Sequence, residues 1–177
     1  MSNERPNPDY SFLYADSIPP IDQSGTAPII PALHRTANFS FSDLEAMQDA
    51  LQNESESWLY TRGNNPTTNL VCEKLAALEC TDKALLFGSG MAAISAGILH
   101  FVKRDAHIVC VANPYSWTSW MFSDWLKKFG IEVSYVKGID PEDFRRATKP
   151  NTVLYFLESP SSFTFAMQDL RVIAAIA

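Results

Sequence analysis

Three things are scarce in this sequence, and each scarcity narrows what the chain can do. Positive charge is the first: 14 Lys and Arg stand against 20 Asp and Glu, a net charge of −6. Nucleic acid and anionic membrane surfaces are therefore not expected partners. Cysteine is the second. Cys72, Cys80 and Cys110 are an odd set without ligand-type spacing, so no metal site is expected, and reduced thiols in a cytoplasmic protein are. All three are read as small buried hydrophobes. The third scarcity is a long apolar run. The longest follows Gly90 and is too short to span a bilayer. The opening MSNERPNPDY has no basic start leading into an apolar stretch, so no secretory signal is expected. No internal repeat or low-complexity segment is visible.

What the chain does have is a core. Apolar residues make up 46% of it, with 11 Phe and 4 Trp, well outside the composition of disordered segments. Its 177 residues suit one domain and are too few for two comfortable ones.

The stretch that organises the sequence is ALLFGSGMAAISAGILHFV, residues 84–102. It reads as a strand (84–87), a turn through Gly88-Ser89-Gly90 and a helix from Met91. The first amides of such a helix lack intrahelical acceptors, and the helix dipole adds positive potential there. Gly90 can take positive φ and lets an anion approach the backbone with no Cβ in the way. A phosphate cradle and an ordinary strand-to-helix turn are both open readings. The motif also fits the loose dinucleotide pattern G-x-G-x-x-A. That reading wants an acid at the end of the next strand; the only nearby one, Asp105, precedes it.

Residues 1 to about 40 are rich in Pro, Asn, Ser and Asp, with a short apolar patch at 27–31. They read as an arm that packs on a partner subunit or as a disordered lead, with His34 and Arg35 on the surface unless the arm is docked. Ser42 and Glu45 predict a capping box opening a helix over 43–53. WLYTRGNNPT (58–67) reads as a loop, and Pro66 opens a helix ending near Cys80.

A regular alternation follows: helix 91–103, strand 107–111, helix 117–129 closed by Gly130, strand 131–136, short helix 141–147, strand 152–157 and a last helix from Asp169. This predicts an α/β fold, three-layer αβα, with a mostly parallel sheet. Ligands in such folds bind beyond the carboxyl ends of the strands, here Gly88-Ser89-Gly90, Asn113-Pro114-Tyr115 and Glu158-Ser159-Pro160. Trp117, Trp120 and Trp125 are read as packing residues, and His100 and His107 as structural ones. The closing IAAIA has no cap or turn after it, so the last helix looks cut rather than finished.

Four segments in register, GTAPIIPALHRTANFSF, YTRGNNPT, GSGMAAI and LESPSS with the following QDL, resemble the trans-sulfuration family of pyridoxal-phosphate enzymes. Its members include cystathionine synthases and lyases, methionine γ-lyase and O-acetylhomoserine sulfhydrylases. The resemblance runs from about Gly25 to the last residue and covers only the first part of such an enzyme.

It implies a fold-type I (aspartate aminotransferase-like) large domain, truncated. Residues 1–58 would be an N-terminal arm with a short helix, and 59–177 the first part of the cofactor-binding domain. By resemblance Gly90 and Met91 give the phosphate amides, and Tyr115 stacks on the cofactor ring and could assist proton transfer. Tyr60 and Arg62 reach the phosphate of a neighbouring subunit in a homodimer or tetramer, a role that suits a bidentate guanidinium. The implied activity is a carbon–sulfur lyase of the cystathionine β- or γ-lyase type. Cystathionine γ-synthase, sulfhydrylase and methionine γ-lyase activities are alternatives, as is a non-catalytic fragment.

The sequence departs from the family in three places. The usual Tyr-Gly-Gly-Thr is Tyr115-Ser116-Trp117-Thr118, and the asparagine that bonds the ring hydroxyl is Ser162, a residue shared with bacterial cystathionine β-lyases. The aspartate that pairs with the ring nitrogen and the S-x-x-T-K Schiff-base lysine are absent from this chain. Lys74, Lys83, Lys103, Lys127, Lys128, Lys137 and Lys149 all lie in other contexts. Glu158, in the E-S-P motif, is read as orienting its neighbours or as a plain surface carboxylate.

Overall fold

Five consecutive residues, His107 to Val111, are wholly shielded from solvent. Successive strand residues point to opposite faces, so a strand buried at every position must be covered on both sides. In the computed structural model, which describes residues 30–177, this strand (β1, His107–Val111) is the centre of a three-stranded sheet. β2 (Glu132–Val136) and β3 (Thr152–Phe156) flank it in the order β2-β1-β3, both parallel to it.

The helices follow from the sequence signals. Those used below are α1 (Leu44–Gln52), α2 (Pro66–Leu78), α3 (Gly90–Phe101), α4 (Ser116–Trp120), α5 (Glu142–Ala147) and α6 (Leu170–Ile176). α4 continues through a π turn, Met121–Trp125, and a 3₁₀ turn, Leu126–Phe129, and ends at Gly130 with φ of 75°. That left-handed cap is where glycine carries no Cβ penalty. α6 starts where Asp169 accepts the Val172 amide at 3.1 Å.

The core gathers Ile98 of α3, β1, Met121, Phe122 and Leu126 of the α4 extension, Phe144 of α5 and Ile173 of α6. Phe122 and Phe144, at 1% and 0% exposure, are its largest members, and each contributes roughly 1.5–3 kcal/mol by burial.

Several expectations need correction. Residues 84–87 form no strand. Among the described residues no partner strand pairs with them, and Leu85 is 78% exposed. An apolar β-type segment needs a neighbour's ladder to become a strand, and its own sequence does not supply one. The cap of α1 is Asp43, not Ser42: Asp43 accepts the Ala46 amide at 2.8 Å and the Ser42 hydroxyl at 3.0 Å. Those bonds, the Ala46 one first, hold its carboxyl below the usual range.

Only Cys110 is buried; Cys72 is half-buried and Cys80 exposed just past the end of α2. Trp117 and Trp120 are more than half exposed and meet edge to face, their centroids 6.3 Å apart, so only Trp125 packs as expected. The apolar patch at 27–31 lies outside the described residues except for Ile30 and Pro31.

The chain divides into two compact units, one ending at Leu86 and one starting at Phe87. Among the described residues no helix is long and apolar enough to cross a membrane, and no group of His, Cys, Asp and Glu could hold a metal ion.

Candidate functional site

Strand order places the site in the second unit. From β1 the chain moves to β2 on one side, then crosses to β3 on the other, so the strand order reverses at β1 and the parallel strands β1 and β3 end side by side. The crevice beyond their carboxyl ends is where ligands bind in open parallel sheets. Two loops meet there, Ala112–Tyr115 after β1 and Leu157–Ser162 after β3. The first turns through Asn113 at φ of 58°, a left-handed conformation that asparagine tolerates better than most residues.

Glu158 holds these two loops together. Its Oε2 accepts the backbone N–H of Tyr115 at 2.7 Å, and its Oε1 accepts the backbone N–H of Ser162 at 2.9 Å and the Ser162 hydroxyl as well. A carboxylate taking charge-assisted bonds from two loops fixes one against the other. Its negative charge also reaches Cys110. Burial first, and then Glu158, push that thiol up to about 12, so it stays protonated and inert.

α3 opens beside this crevice. Ser89 caps it, accepting the Ala92 amide at 3.1 Å, while its carbonyl accepts the Ala93 amide. The amides of Gly90 and Met91 have no acceptor among the described residues. Gly90 keeps an ordinary negative φ, and a Cβ there would meet nothing within 4 Å. The expected positive φ is therefore not what this glycine supplies; it leaves the amides bare. Met91 shares an apolar cavity of about 270 Å³ with Ser95, Leu99, Trp117, Trp120 and Trp125. The start of α3 and the segment just after Tyr115 therefore face a common space. Tyr115 itself is 41% exposed.

The first unit carries the other expected residues. Residues 34–39 run antiparallel to 59–61: Thr61 N–H donates to the Ala37 carbonyl at 2.9 Å, and Asn38 bridges to Tyr60. Buried Asn65 joins the pieces. Its carbonyl oxygen caps α2 at the Thr67 amide (2.8 Å), and its amide group donates to the His34 carbonyl and the Thr61 hydroxyl. The segment bearing His34 and Arg35 is thus docked on the 59–67 loop, although both side chains stay exposed. The Arg62 guanidinium lies over the Tyr60 ring, 4.9 Å from its centroid, and is exposed. Tyr60, Arg62, His34 and Arg35 line one open groove, a cationic rim of the kind that takes an anion.

The sequence matches the family described as Cys/Met metabolism PLP-dependent enzyme over residues 19–177. The chain belongs to that family. It is 34% identical to an L-methionine gamma-lyase of Treponema denticola over 145 residues, covering 82% of this chain and 36% of that protein. It is 38% identical to a cystathionine beta-lyase of Staphylococcus haemolyticus over 118 residues, covering 67% and 30%. The chain thus spans about a third of the length of these relatives.

Two solved structures agree on the fold. One, MetB of Corynebacterium glutamicum, superposes with a TM-score of 0.80 at 24% identity, covering 94% of this chain and 41% of that one. The other is a Campylobacter jejuni protein assigned provisionally as an O-acetylhomoserine (thiol)-lyase. Its TM-score is 0.79 at 23% identity, it is 40% covered, and it carries N′-pyridoxyl-lysine-5′-monophosphate. The described elements are part of the fold-type I architecture expected from the sequence.

The family's cofactor is pyridoxal phosphate, and the donor set suits it at two ends. Bare amides at the start of a twelve-residue helix suit a phosphate. A half-exposed tyrosine and a serine hydroxyl at the neighbouring strand ends suit an aromatic ring with polar edges. What sequence reasoning left open was Glu158. Its signal was there, an acid at a strand end, but of its two partners only Ser162, 4 residues on, is in its own loop, while Tyr115 comes from a loop 43 residues earlier.

Proposed function

We propose that this chain provides the phosphate-binding and ring-face part of the cofactor site in a carbon–sulfur lyase of sulfur amino acid metabolism. The observation that carries the reading is the pair of amides, Gly90 and Met91, without an acceptor among the described residues, opening α3 at a cavity that Met91 shares with Trp117, two residues after Tyr115. Carbon–sulfur bond cleavage is common to the named activities of the two curated relatives, and it is the substrate class proposed here. Within it, cystathionine is the favoured substrate, because Ser162 stands where bacterial cystathionine β-lyases also carry serine.

Bound pyridoxal phosphate would withdraw electrons from the substrate's α-carbon. The chain's own residues do the rest of what is proposed. Gly90 and Met91 hold the phosphate through backbone N–H donors. Tyr115 covers one face of the ring, excludes water from it, and holds or accepts a proton at its hydroxyl. Ser162 bonds the ring edge. Tyr60 and Arg62 hold the phosphate of a neighbouring subunit, so the active form is a homodimer or tetramer, placed in the cytoplasm. Residues 1–58 act as the arm and 59–177 as the start of the cofactor domain.

The test is turnover by the complete polypeptide that contains these residues. Release of thiol, ammonia and keto acid from cystathionine, lost in Tyr115→Ala, supports the reading. Condensation of an activated homoserine with a thiol, without cleavage of cystathionine or methionine, would replace it.

A further inference from the structure

Among the hydrogen bonds of the described residues, Glu158, itself in the loop after β3, is the side chain that ties that loop to the Tyr115 loop. Its four-atom span reaches the amide that begins the Tyr115 helical turn, at 2.7 Å, and the amide and hydroxyl of Ser162. No cation pairs with it among the ion pairs of the described residues. All of its contacts are donors from the two loops, so its charge is satisfied only while both loops are in place. Cys110, on β1 just before the Tyr115 loop, feels that charge.

We propose that Glu158 is a positioning residue: its carboxylate sets the spacing between Tyr115 and Ser162, and so decides how firmly the ring end of the cofactor is held. It makes no contact with the amides of Gly90 and Met91, and the phosphate end is independent of it. This rests on the cofactor reading above, and goes further by separating the control of the two ends of one ligand.

The physical basis is an asymmetry of acceptors. A carboxylate offers two equivalent oxygens, one to each loop. The isosteric carboxamide of Glu158→Gln keeps one acceptor and turns an N–H donor toward the other loop's donor. One loop is then unmade at nearly unchanged volume. Glu158→Asp keeps both acceptors but is one methylene too short to reach both. A lost charge-assisted bond of this kind corresponds to about tenfold or more in the affinity it supports.

The experiment uses the 177-residue chain with three probes: amide hydrogen exchange without ligand, binding of pyridoxal phosphate, and binding of inorganic phosphate. In the wild type, Tyr115 and Ser162 amides should exchange slowly. In Glu158→Gln at least one of them should exchange about tenfold faster or more, while Val109 in β1 stays protected and reports an intact fold. Pyridoxal phosphate should bind the variant about tenfold more weakly, with inorganic phosphate affinity unchanged. A parallel loss of both affinities would mean general damage to the site and overturn the proposal. Equal pyridoxal phosphate affinity in wild type and variant overturns it too, and leaves the cofactor reading intact. A wild type that binds no pyridoxal phosphate overturns both, whatever the exchange data show.

Discussion

The carboxamide of Asn65 donates to the carbonyl of His34 at 3.2 Å, across 31 residues of chain. At 3% exposure Asn65 is among the few buried polar residues, and its bonds hold the 34–39 segment on the 59–67 loop while it caps α2. Asn65 adds a buried side-chain anchor to the backbone pairing of 59–61 with 34–39 that also holds the loop bearing Tyr60 and Arg62.

Replacing Asn65 separates its two roles. Asn65→Ala removes the cap and both donations, and should cost about 2–3 kcal/mol of stability by denaturant unfolding, a cap plus buried bonds. Asn65→Asp keeps an acceptor for the Thr67 amide but loses the donors. It should therefore fall between the two, with faster exchange at the Thr61 amide. An alanine variant as stable as the wild type would show that the contact to His34 holds nothing.

His107 sets a limit in pH. Its ring is buried at the start of β1, with Nδ1 2.7 Å from the Thr152 hydroxyl and Nε2 2.9 Å from that of Ser134. Burial first, then the charge of Lys149, lower its pKa from 6.5, against an opposing pull from Glu132. The unfolded chain therefore binds a proton more readily than the folded one. Stability should be full above about pH 6.5 and decline as pH falls below it, no more steeply than about 1.4 kcal/mol per pH unit for one proton. Urea unfolding of wild type and His107→Gln across pH 5–8 reads this out, and equal slopes in the two would assign the decline elsewhere.

The thiols should divide sharply. Exposed Cys80 should react quickly with a thiol reagent at neutral pH, and Cys110, its thiol pushed up to about 12 by burial and by Glu158, should stay silent until the chain unfolds. Mass spectrometry after brief labelling identifies which residue carries the adduct. Early labelling of Cys110 would mean that β1 opens in the native state.

Much of this architecture could be read from local signals. β1, β2 and β3 are short apolar or β-branched runs bounded by Gly, Pro, Asn and Asp. Gly130 and Asp169 mark helix ends with chemistry that acts over one turn. The same logic fails where the deciding partner is remote. Residues 84–87 have a strand's composition but no ladder among the described residues, and composition alone cannot say so. The π turn at Met121–Trp125 has no sequence signature. The sequence pattern points to Ser42 as the cap of α1, and only geometry shows that its neighbour Asp43 faces the Ala46 amide instead. At the candidate site, Gly90, Met91 and Tyr115 could be proposed from the sequence because each sits in a motif of fixed form, and the structure adds the helix start and the loop that carry them. For Glu158 the motif leaves two readings open, orienting its neighbours or a plain surface carboxylate, and for Asn65 it offers none, since the bonds each makes join segments that meet only in the folded chain.

We propose above all that this chain holds the phosphate and ring-face contacts of the cofactor without the covalent link. Titrating the purified 177-residue chain with pyridoxal phosphate, then with pyridoxal lacking the phosphate, and reducing each with borohydride before mass spectrometry tests it directly. The expected result is reversible binding that weakens markedly without the phosphate, no stoichiometric adduct on any single lysine, and no turnover of cystathionine. Binding indifferent to the phosphate, or a reduced adduct at one specific lysine accompanied by turnover, would contradict it.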